Sequence, residues 1–349
     1  MKKIKKVVLL SLMLMSVLFN AQNINQITGQ SGAFRKDTVF TIKSDLKETY
    51  LPVTIIKGKA KGPVFSIVAG IHGYEYPPII AVQELLKEIK PEHVKGTLII
   101  IPIANVEAFQ KRTPFVNPLD HKNLNNTFPG SPDGTTTEQI ANIITKEIIS
   151  NSTIFLDIHG GDANEDLLPF VCYYDRKDAP ENTRLAHNLS AQSQINYIVS
   201  YPYNLTQTEP AKYAFKQAVQ QGITALSIEA GKLGTVQKEN VEMIKNAVYN
   251  MLEYSGNYVK SKAKIKNNNK SILLNQQDYI KVPENGIFYS DFKSGDLVKK
   301  NQVLGFVTDE FGNKKLDIIS NSDGIILYKV GTPPVNKGET LFCIGYTQQ

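Results

Sequence analysis

The chain has 349 residues, of which 42% are hydrophobic and 21% are charged, and its net charge is +6. This composition is typical of a globular protein, and the length allows a domain of ordinary enzyme size together with a smaller one. Positive charges are scattered except in the first six residues and at 260–270, so the basic stripe of a nucleic-acid-binding protein is missing. We therefore predict no nucleic-acid partner.

The N-terminus has the pattern of a secretory signal. A basic start, "MKKIKK", precedes thirteen apolar residues, and Ala21 supplies a small residue for cleavage. The apolar stretch is shorter than the ~20 residues that span a membrane, and no cysteine follows it for lipid attachment. We predict a signal peptide at 1–21, export to the periplasm or the medium, and no stable membrane insertion after cleavage. Phe19 is a poor residue for the cleavage site, which leaves an uncleaved anchor as the alternative.

Alternating strand and helix patterns follow the signal. Short, nearly continuous apolar runs, typical of parallel strands buried on both faces, lie at 64–70, 97–105, 153–161 and 224–231. Amphipathic patterns predict helices at 77–90, 137–150 and 238–256. These elements predict an α/β domain over 22–259 with a mostly parallel, mixed sheet flanked by helices.

A change of pattern marks a second domain. The segment 260–271 is polar and of low complexity, which is typical of a linker. After it, short apolar pairs broken by turn signals predict a small all-β domain over 272–349, similar to half of a biotinyl/lipoyl-type barrel. No lysine stands in the turn that such carriers modify, so we interpret this domain as a structural module that forms one wall of the active-site mouth.

The two cysteines, Cys172 and Cys343, lie within apolar runs of different predicted domains. An oxidising compartment permits a disulfide, but these positions favour buried free thiols.

Side chains that bind metals follow the predicted strand ends. His72 and Glu75, in "GIHGYEYP", come just after the first strand, His159 lies at the end of the third, and Glu229 at the end of the fourth. Ligands of α/β proteins bind at the carboxyl ends of parallel strands, so we expect these four groups at one edge of the sheet.

Two histidines and one carboxylate form the open ligand set of catalytic zinc, which leaves a fourth position for water. We predict one zinc ion per chain, bound by His72, Glu75 and His159. Zinc lowers the pKa of its water toward ~7 and polarises a carbonyl oxygen. Glu229, in an otherwise apolar strand, suits the general base that moves the water's proton to the leaving nitrogen. Asp157 has a suitable direction to orient a ligand histidine.

Each residue also has a simpler interpretation. An isolated His-x-x-Glu is usually a surface turn, His159 alone could be a hydrogen-bonded core histidine, and Glu229 alone could belong to a buried ion pair. Their joint position at equivalent strand ends favours the metal site. His93 and His187 fit a solvated position and a helix face, and His121 lies in a loop that could reach the site.

The segments "AGIHGYEYPP", "NLNNTFPG", "FLDIHGG" and "SIEAG" resemble, in this order, the succinylglutamate desuccinylase and aspartoacylase family, part of the wider zinc carboxypeptidase group. The resemblance covers about residues 50–255, and the small β domain is also similar to that of family members. It implies a zinc carboxypeptidase-like fold, zinc bound by His72, Glu75 and His159, and Glu229 as general base. The implied reaction is hydrolysis of an amide that joins an acyl group to an amino acid or similar amine.

One motif departs from the family pattern. Members usually have Asp-Leu-Asn-Arg before the Phe-Pro-Gly type turn, whereas this chain keeps Asn125 and has Asn126 at the arginine position. Arginine pairs with a substrate carboxylate through two hydrogen bonds, and asparagine cannot replace its charge. Arg112 matches another family arginine that lies near the reacting carbonyl, where it would stabilise an oxyanion, although an exposed loop arginine is the simpler interpretation. We expect Asn125 and Asn126 to bind a substrate whose carboxylate lies elsewhere or is absent.

The sequence thus predicts an exported zinc-dependent deacylase that cleaves the amide of an N-acyl amino acid or related acylated amine by attack of a zinc-bound water. One alternative is a zinc carboxypeptidase acting on peptides or cell-wall fragments, which would need a docking charge for the terminal carboxylate. Another is a catalytically silent ligand-binding protein on the same fold, against which the four intact site residues count. Ester or lactone hydrolysis and other divalent metals stay open.

Overall fold

The structure, a computed structural model, describes residues 23–43, 47–259 and 271–348. Within these ranges the chain forms a large α/β domain and a strand-rich C-terminal module, as predicted. The predicted signal peptide and all but the last residue of the predicted linker lie outside the described residues. No helix in the described ranges combines the length and apolar character that crossing a membrane requires.

The large domain is built on a mixed sheet. The first ten strands of the chain are β1 (Phe34–Ile42), β2 (Thr49–Lys57), β3 (Ala60–Ala69), β4 (Lys95–Ile101), β5 (Ile154–His159), β6 (Glu165–Leu167), β7 (Phe170–Asp175), β8 (Tyr197–Pro202), β9 (Thr224–Glu229) and β10 (Ile272–Leu274). The sheet order is β1-β2-β4-β3-β5-β9-β7-β8-β10, and β6 is not part of it. The four predicted strands are the central parallel set β4-β3-β5-β9, while β7 runs antiparallel to β9.

Helices cover both faces of this sheet. They are α1 (Ile24–Thr28), α2 (Tyr76–Glu88), α3 (Val106–Lys111), α4 (Thr136–Ile143), α5 (Pro180–Gln192), α6 (Ala214–Gln220) and α7 (Lys238–Tyr254). At the start of α4, the backbone N–H of Thr135 donates a hydrogen bond of 2.8 Å to Glu138 Oε2. The helix predicted at 137–150 leaves the α-helical form after α4, passes through a π-helical turn (Ile144–Ile148) and ends in a 3₁₀ turn (Ile149–Asn151).

Apolar side chains form separate clusters on the two faces of the sheet. One cluster packs α2, α5 and α7 against the strands through residues such as Leu85 and Val248. The other contains Phe215 of α6 and extends into the C-terminal module through Leu327 and Cys343. The two units of the chain therefore share part of one core.

The C-terminal module consists of two facing sheets. Its strands are β11 (Gln276–Lys281), β12 (Gly286–Tyr289), β13 (Leu297–Val298), β14 (Val303–Thr308), β15 (Lys314–Ile319), β16 (Gly324–Val330), β17 (Pro334–Val335) and β18 (Thr340–Tyr346). They pair in the orders β11-β18-β16-β13 and β15-β14-β12-β17, around a third apolar cluster. The large domain adds β6 to the first of these sheets, with Leu167 opposite Tyr328 on β16. Strand β10, just after the predicted linker, pairs in parallel with β8 of the large sheet.

Candidate metal centre and active site

The turn between β3 and α2 presents His72 and Glu75. Gly70 has φ of +69°, a conformation that favours glycine, and it turns the chain away from β3. A Cβ atom on Gly73 would lie 2.1 Å from the backbone nitrogen of Phe109, so only glycine lets α3 pack against this turn. Glu75 is the residue immediately before α2. The local sequence thus fixes the backbone that carries both side chains.

The sheet register brings the other two predicted residues to the same place. His159 ends β5 and Glu229 ends β9, and the two residues are direct partners in the parallel pairing of these strands. Strand β3 lies on the other side of β5, so the turn with His72 and Glu75 projects from the same edge. All four predicted residues line one cavity.

The three predicted ligands converge. His72 Nδ1 lies 2.6 Å from one carboxylate oxygen of Glu75, and His159 Nδ1 lies 3.1 Å from the other. One donor atom from each side chain lies within 4.8 Å of the others, and all three residues are buried. A single ion could therefore contact all three.

The outer ring nitrogens face polar side chains. His72 Nε2 lies 3.0 Å from Asn123 Oδ1 in a hydrogen bond. His159 Nε2 lies 3.1 Å from Asp157 Oδ2, which is within ion-pair distance. The two atoms are not aligned for a hydrogen bond, and neither has a hydrogen-bond partner within the described residues. Contacts of this kind orient metal-binding histidines. Asp157 thus occupies the position predicted for it, whereas the contact of Asn123, which begins the "NLNN" motif, was not predicted from the sequence.

The electrostatics of the cluster favour a cation. Burial alone would lower the pKa of both histidines, but Glu75 raises that of His72, and Asp157 together with Glu75 raises that of His159. Burial would raise the pKa of Glu75, but the two histidines lower it. Surroundings that hold protons on two imidazoles also favour a divalent cation, because metal binding displaces those protons. Two inward-facing nitrogens and a carboxylate, with both outer nitrogens positioned, fit catalytic zinc.

Glu229 is free to exchange a proton. It lies beside the cluster, and among the described residues its carboxylate has no hydrogen-bond or ion-pair partner. Burial raises the pKa of Glu229 to about 8, with contributions from Glu75 and Glu165 that oppose the effect of His159. A carboxylate with a raised pKa and no partner suits general acid–base catalysis.

A cavity of about 350 Å³ opens onto the cluster. The large domain contributes Leu167, Phe170 and Tyr201 to its wall besides the polar groups. The C-terminal module contributes Tyr279, Leu327, Tyr328, Thr340 and Cys343. The C-terminal module thus forms one wall of this cavity, where the sequence predicted that it forms one wall of the active-site mouth.

The predicted substrate residues differ in position. Asn125 lines the cavity, and its buried Oδ1 has no hydrogen-bond partner within the described residues. Asn126 is exposed and is not among the residues that line the cavity. Arg112 is also exposed, and it ends α3 in a left-handed conformation with φ of 52°. The roles of all three stay predictions.

The remaining histidines lie elsewhere. His93 packs against Tyr258, His187 lies 3.2 Å from the hydroxyl of Tyr173, and His121 is exposed. None of these histidines is among the cavity-lining residues of the described chain.

Both cysteines are buried free thiols, as predicted, and Cys343 lines the cavity.

Comparison with known proteins agrees with this architecture. A family model of the succinylglutamate desuccinylase/aspartoacylase catalytic domain matches residues 61–255. The N-alpha-acetyl-L-2,4-diaminobutyric acid deacetylase of Halomonas elongata is 29% identical over 325 residues, which cover 90% of this chain and 91% of the relative.

Solved structures share the fold over nearly the whole chain. The product-bound ectoine utilization protein EutE (DoeB) from Ruegeria pomeroyi has a TM-score of 0.80 at 24% identity and covers 91% of this chain and 96% of its own. A succinylglutamate desuccinylase/aspartoacylase from Rhodobacter sphaeroides has a TM-score of 0.80 at 21% identity, with coverage of 91% and 97%. With a family match over more than half of its length, the chain belongs to the succinylglutamate desuccinylase/aspartoacylase family.

Proposed function

We propose that the protein is a zinc-dependent deacylase that hydrolyses the amide bond of an N-acylated amino acid or related amine. The observation that carries this proposal is the convergence of His72, Glu75 and His159 beside the unpaired carboxylate of Glu229. The Halomonas elongata relative supports it, since that protein is a deacetylase of an N-acetylated diamino acid.

The residues divide the chemistry among them. His72, Glu75 and His159 would hold the ion, and zinc, when bound, polarises the acyl carbonyl and lowers the pKa of both the attacking water and Glu229. Glu229 takes a proton from the water as its oxygen bonds to the carbonyl carbon. It gives the proton to the nitrogen as the C–N bond breaks, so the products are a carboxylic acid and an amine. Asp157 keeps the His159 ring in place.

Substrate binding is proposed for the loop that carries Asn125. Its unpartnered amide oxygen can accept a hydrogen bond from a substrate N–H. For Asn126 we propose that the missing arginine charge reflects a changed substrate, and for Arg112 that its charge stabilises the oxyanion. The proposal for Asn126 fails if Asn126→Arg does not alter the enzyme's preference between carboxylate-bearing and neutral acyl-amides.

The cavity argues against a carboxypeptidase. A carboxypeptidase needs a positive charge for the terminal carboxylate of its peptide. None of the described residues that line this cavity is a lysine or an arginine. Assaying peptides with free C-termini beside acetylated amino acids separates the two activities.

Metal analysis of the purified protein tests the proposal first. We expect about one zinc per chain by mass spectrometry, as a three-ligand catalytic site binds a single ion. The zinc should be lost in the His159→Ala variant and retained in His93→Ala, which removes an exposed histidine outside the cluster. Hydrolysis of acetylated amines should follow the zinc content. A protein that binds no metal after incubation with zinc would instead be a ligand-binding member of the family.

A further inference from the structure

Phe170 lies beside Glu229, and the proposed hydrolysis gives it no role. It begins β7, and in the antiparallel pairing of β7 with β9 its direct partner is Glu229. On the other side of β9, Glu229 is the direct partner of His159 on β5. Directly opposite residues of an antiparallel pair point to the same face of the sheet, with Cβ atoms ~5 Å apart. A proposed metal ligand, the proposed base and an aromatic ring therefore stand in one row at the sheet edge, and all three line the cavity.

This row determines how a substrate amide lies in the cavity. In the proposed reaction Glu229 gives its proton to the amide nitrogen, so that nitrogen must come within ~3 Å of the carboxylate. The acyl carbon lies on the side of His159, where the proposed metal ligands are. The group attached to the nitrogen then extends away from the ligands, in the direction of Phe170. The amine component of the substrate, and not its acyl group, thus reaches the Phe170 side of the cavity.

The Phe170 side of the cavity is apolar. Phe170 is only 6% exposed and belongs to the apolar cluster that the large domain shares with the C-terminal module. Three more residues of the cavity lining belong to this cluster, namely Leu167 of β6, Leu327 of β16 and Cys343 of β18. Two further lining residues, Tyr201 and Tyr328, pack against it. We call Phe170, Leu167, Leu327 and Cys343 the apolar subsite.

The charged groups of the lining lie on the other side. Glu165 also faces the cavity from β6, but its Oε2 accepts a hydrogen bond of 2.8 Å from the backbone N–H of Asp162, in the loop that follows His159. This bond holds the carboxylate near the end of β5 that carries the proposed metal ligand. A buried apolar surface gains free energy by contact with an apolar group, whereas a charged group placed there loses its water without gaining a partner. The apolar subsite therefore selects for an apolar group.

We propose that the apolar subsite binds the side chain of the amine component, and that the preferred substrates are acylated amines whose amine component carries an alkyl or aromatic side chain. This inference rests on the proposed function and adds the substrate class and the residues that select it. It would set the protein apart from the Halomonas elongata relative, whose named substrate carries a second amino group. Phe170 contacts a part of the substrate that does not react, so it determines specificity and takes no part in proton transfer.

A matched pair of compounds tests the chemistry of the subsite. N-acetylnorvaline and Nα-acetyl-2,4-diaminobutyrate differ only at the end of the side chain, which is a methyl group in the first and an ammonium group in the second. We expect the wild-type protein to favour the norvaline compound about tenfold or more in kcat/KM, as a well-fitted apolar group in a hydrophobic pocket does. Calorimetry with the zinc-loaded Glu229→Gln variant, which should bind the compounds without turnover, should show the same preference in affinity.

An isomer of the first compound tests which component enters the subsite. N-butanoylalanine carries on its acyl group the methylene groups that N-acetylnorvaline carries on its amine component. N-acetylnorvaline should bind more tightly than N-acetylalanine by about tenfold or more, and N-butanoylalanine should gain less than threefold. A larger gain for N-butanoylalanine would assign the subsite to the acyl group and overturn the proposal.

Three variants test the role of Phe170, each made also in the Glu229→Gln background for calorimetry. Phe170→Ala should bring the ratio between the norvaline and diaminobutyrate compounds toward one, because the apolar contact is lost. Phe170→Leu, which restores an apolar side chain, should keep most of the wild-type ratio. Phe288→Ala removes an equally buried ring from the module core, outside the cavity lining, and should keep the ratio although it also lowers the melting temperature.

The affinities separate this inference from the function on which it rests. If none of the compounds is hydrolysed but the affinities differ as stated, the proposed function fails for these compounds and the apolar subsite stands. Equal affinities for the matched pair, or a preference for the diaminobutyrate compound, would overturn the subsite. A preference that Phe170→Ala leaves unchanged would overturn the role of Phe170. Should Phe170→Ala fail to fold, the compound series on the protein with Phe170 intact still decides the chemistry of the subsite.

Discussion

Replacing Glu229 by glutamine should abolish activity and also stabilise the metal-free protein at high pH. The carboxylate is unpaired at the end of β9 and lies near Glu75 and Glu165, so its ionised form is unfavourable in the folded state. Its pKa rises from an ordinary value of 4.5 to about 8. At about 1.4 kcal/mol for each pH unit, this difference costs the folded protein about 5 kcal/mol above pH 8.

The sign follows from proton binding. Because the folded pKa is the higher one, the folded protein holds more protons than the unfolded chain between pH 4.5 and about 8. Stability of the metal-free wild-type protein therefore falls as pH rises through this window, and the part due to Glu229 is absent from the Glu229→Gln variant. Between about pH 5.5 and about pH 9, the stability difference in favour of the variant should grow by about 3 kcal/mol.

Urea unfolding of metal-stripped protein at the two pH values measures this difference. Glu310→Gln serves as the control, because that glutamate is exposed and lies outside the cavity. With zinc restored, the Glu229→Gln variant should retain metal but lose about 10²–10⁴-fold in kcat, the usual contribution of a general base. A stability difference that stays constant with pH would show that Glu229 is not destabilised by its surroundings, and the argument for its raised pKa would be wrong.

Three further outcomes are expected. Asp157→Asn should weaken zinc binding by about 10–100-fold without unfolding the protein, because it removes the charge that faces His159. Competition with a chelator measures this affinity, and an unchanged affinity would exclude an orienting role for Asp157. Leu327→Ala should lower the free energy of unfolding by about 2–5 kcal/mol, since this side chain is buried in the core shared by the two units. It should also raise KM, because Leu327 lines the cavity. A loss of unfolding free energy below about 1 kcal/mol would contradict that packing. Cell fractionation should place the full-length protein outside the cytoplasm and a form without residues 1–21 inside it, and identical distributions would refute the proposed export.

The sequence predicted the central strands because their apolar runs are continuous, and it placed His159 and Glu229 at strand ends because those runs stop there. It did not predict that β7 would insert beside β9 in the antiparallel direction, since an apolar pattern carries no information on a strand's partner or direction.

Residues whose position depends on distant pairing were also missed. Glu165 follows His159 in a stretch that reads as a loop, and it becomes part of the cavity wall only because β6 pairs with β16, more than 150 residues later. Asn123 was overlooked for a different reason, as its contact with His72 joins two turns that the sequence separates by 51 residues.

The pairing of β6 with β16 has a consequence for specificity. Main-chain hydrogen bonds join these two strands, and such bonds do not depend on which side chains the strands carry. The three residues proposed to bind the metal all come from the large domain, while the module contributes to the cavity wall Tyr279, Leu327, Tyr328, Thr340 and Cys343. Substitutions among these wall residues can therefore change which compound fits the cavity while leaving the residues proposed for catalysis in place. In the proposed enzyme, hydrolysis and selectivity thus depend on different parts of the chain.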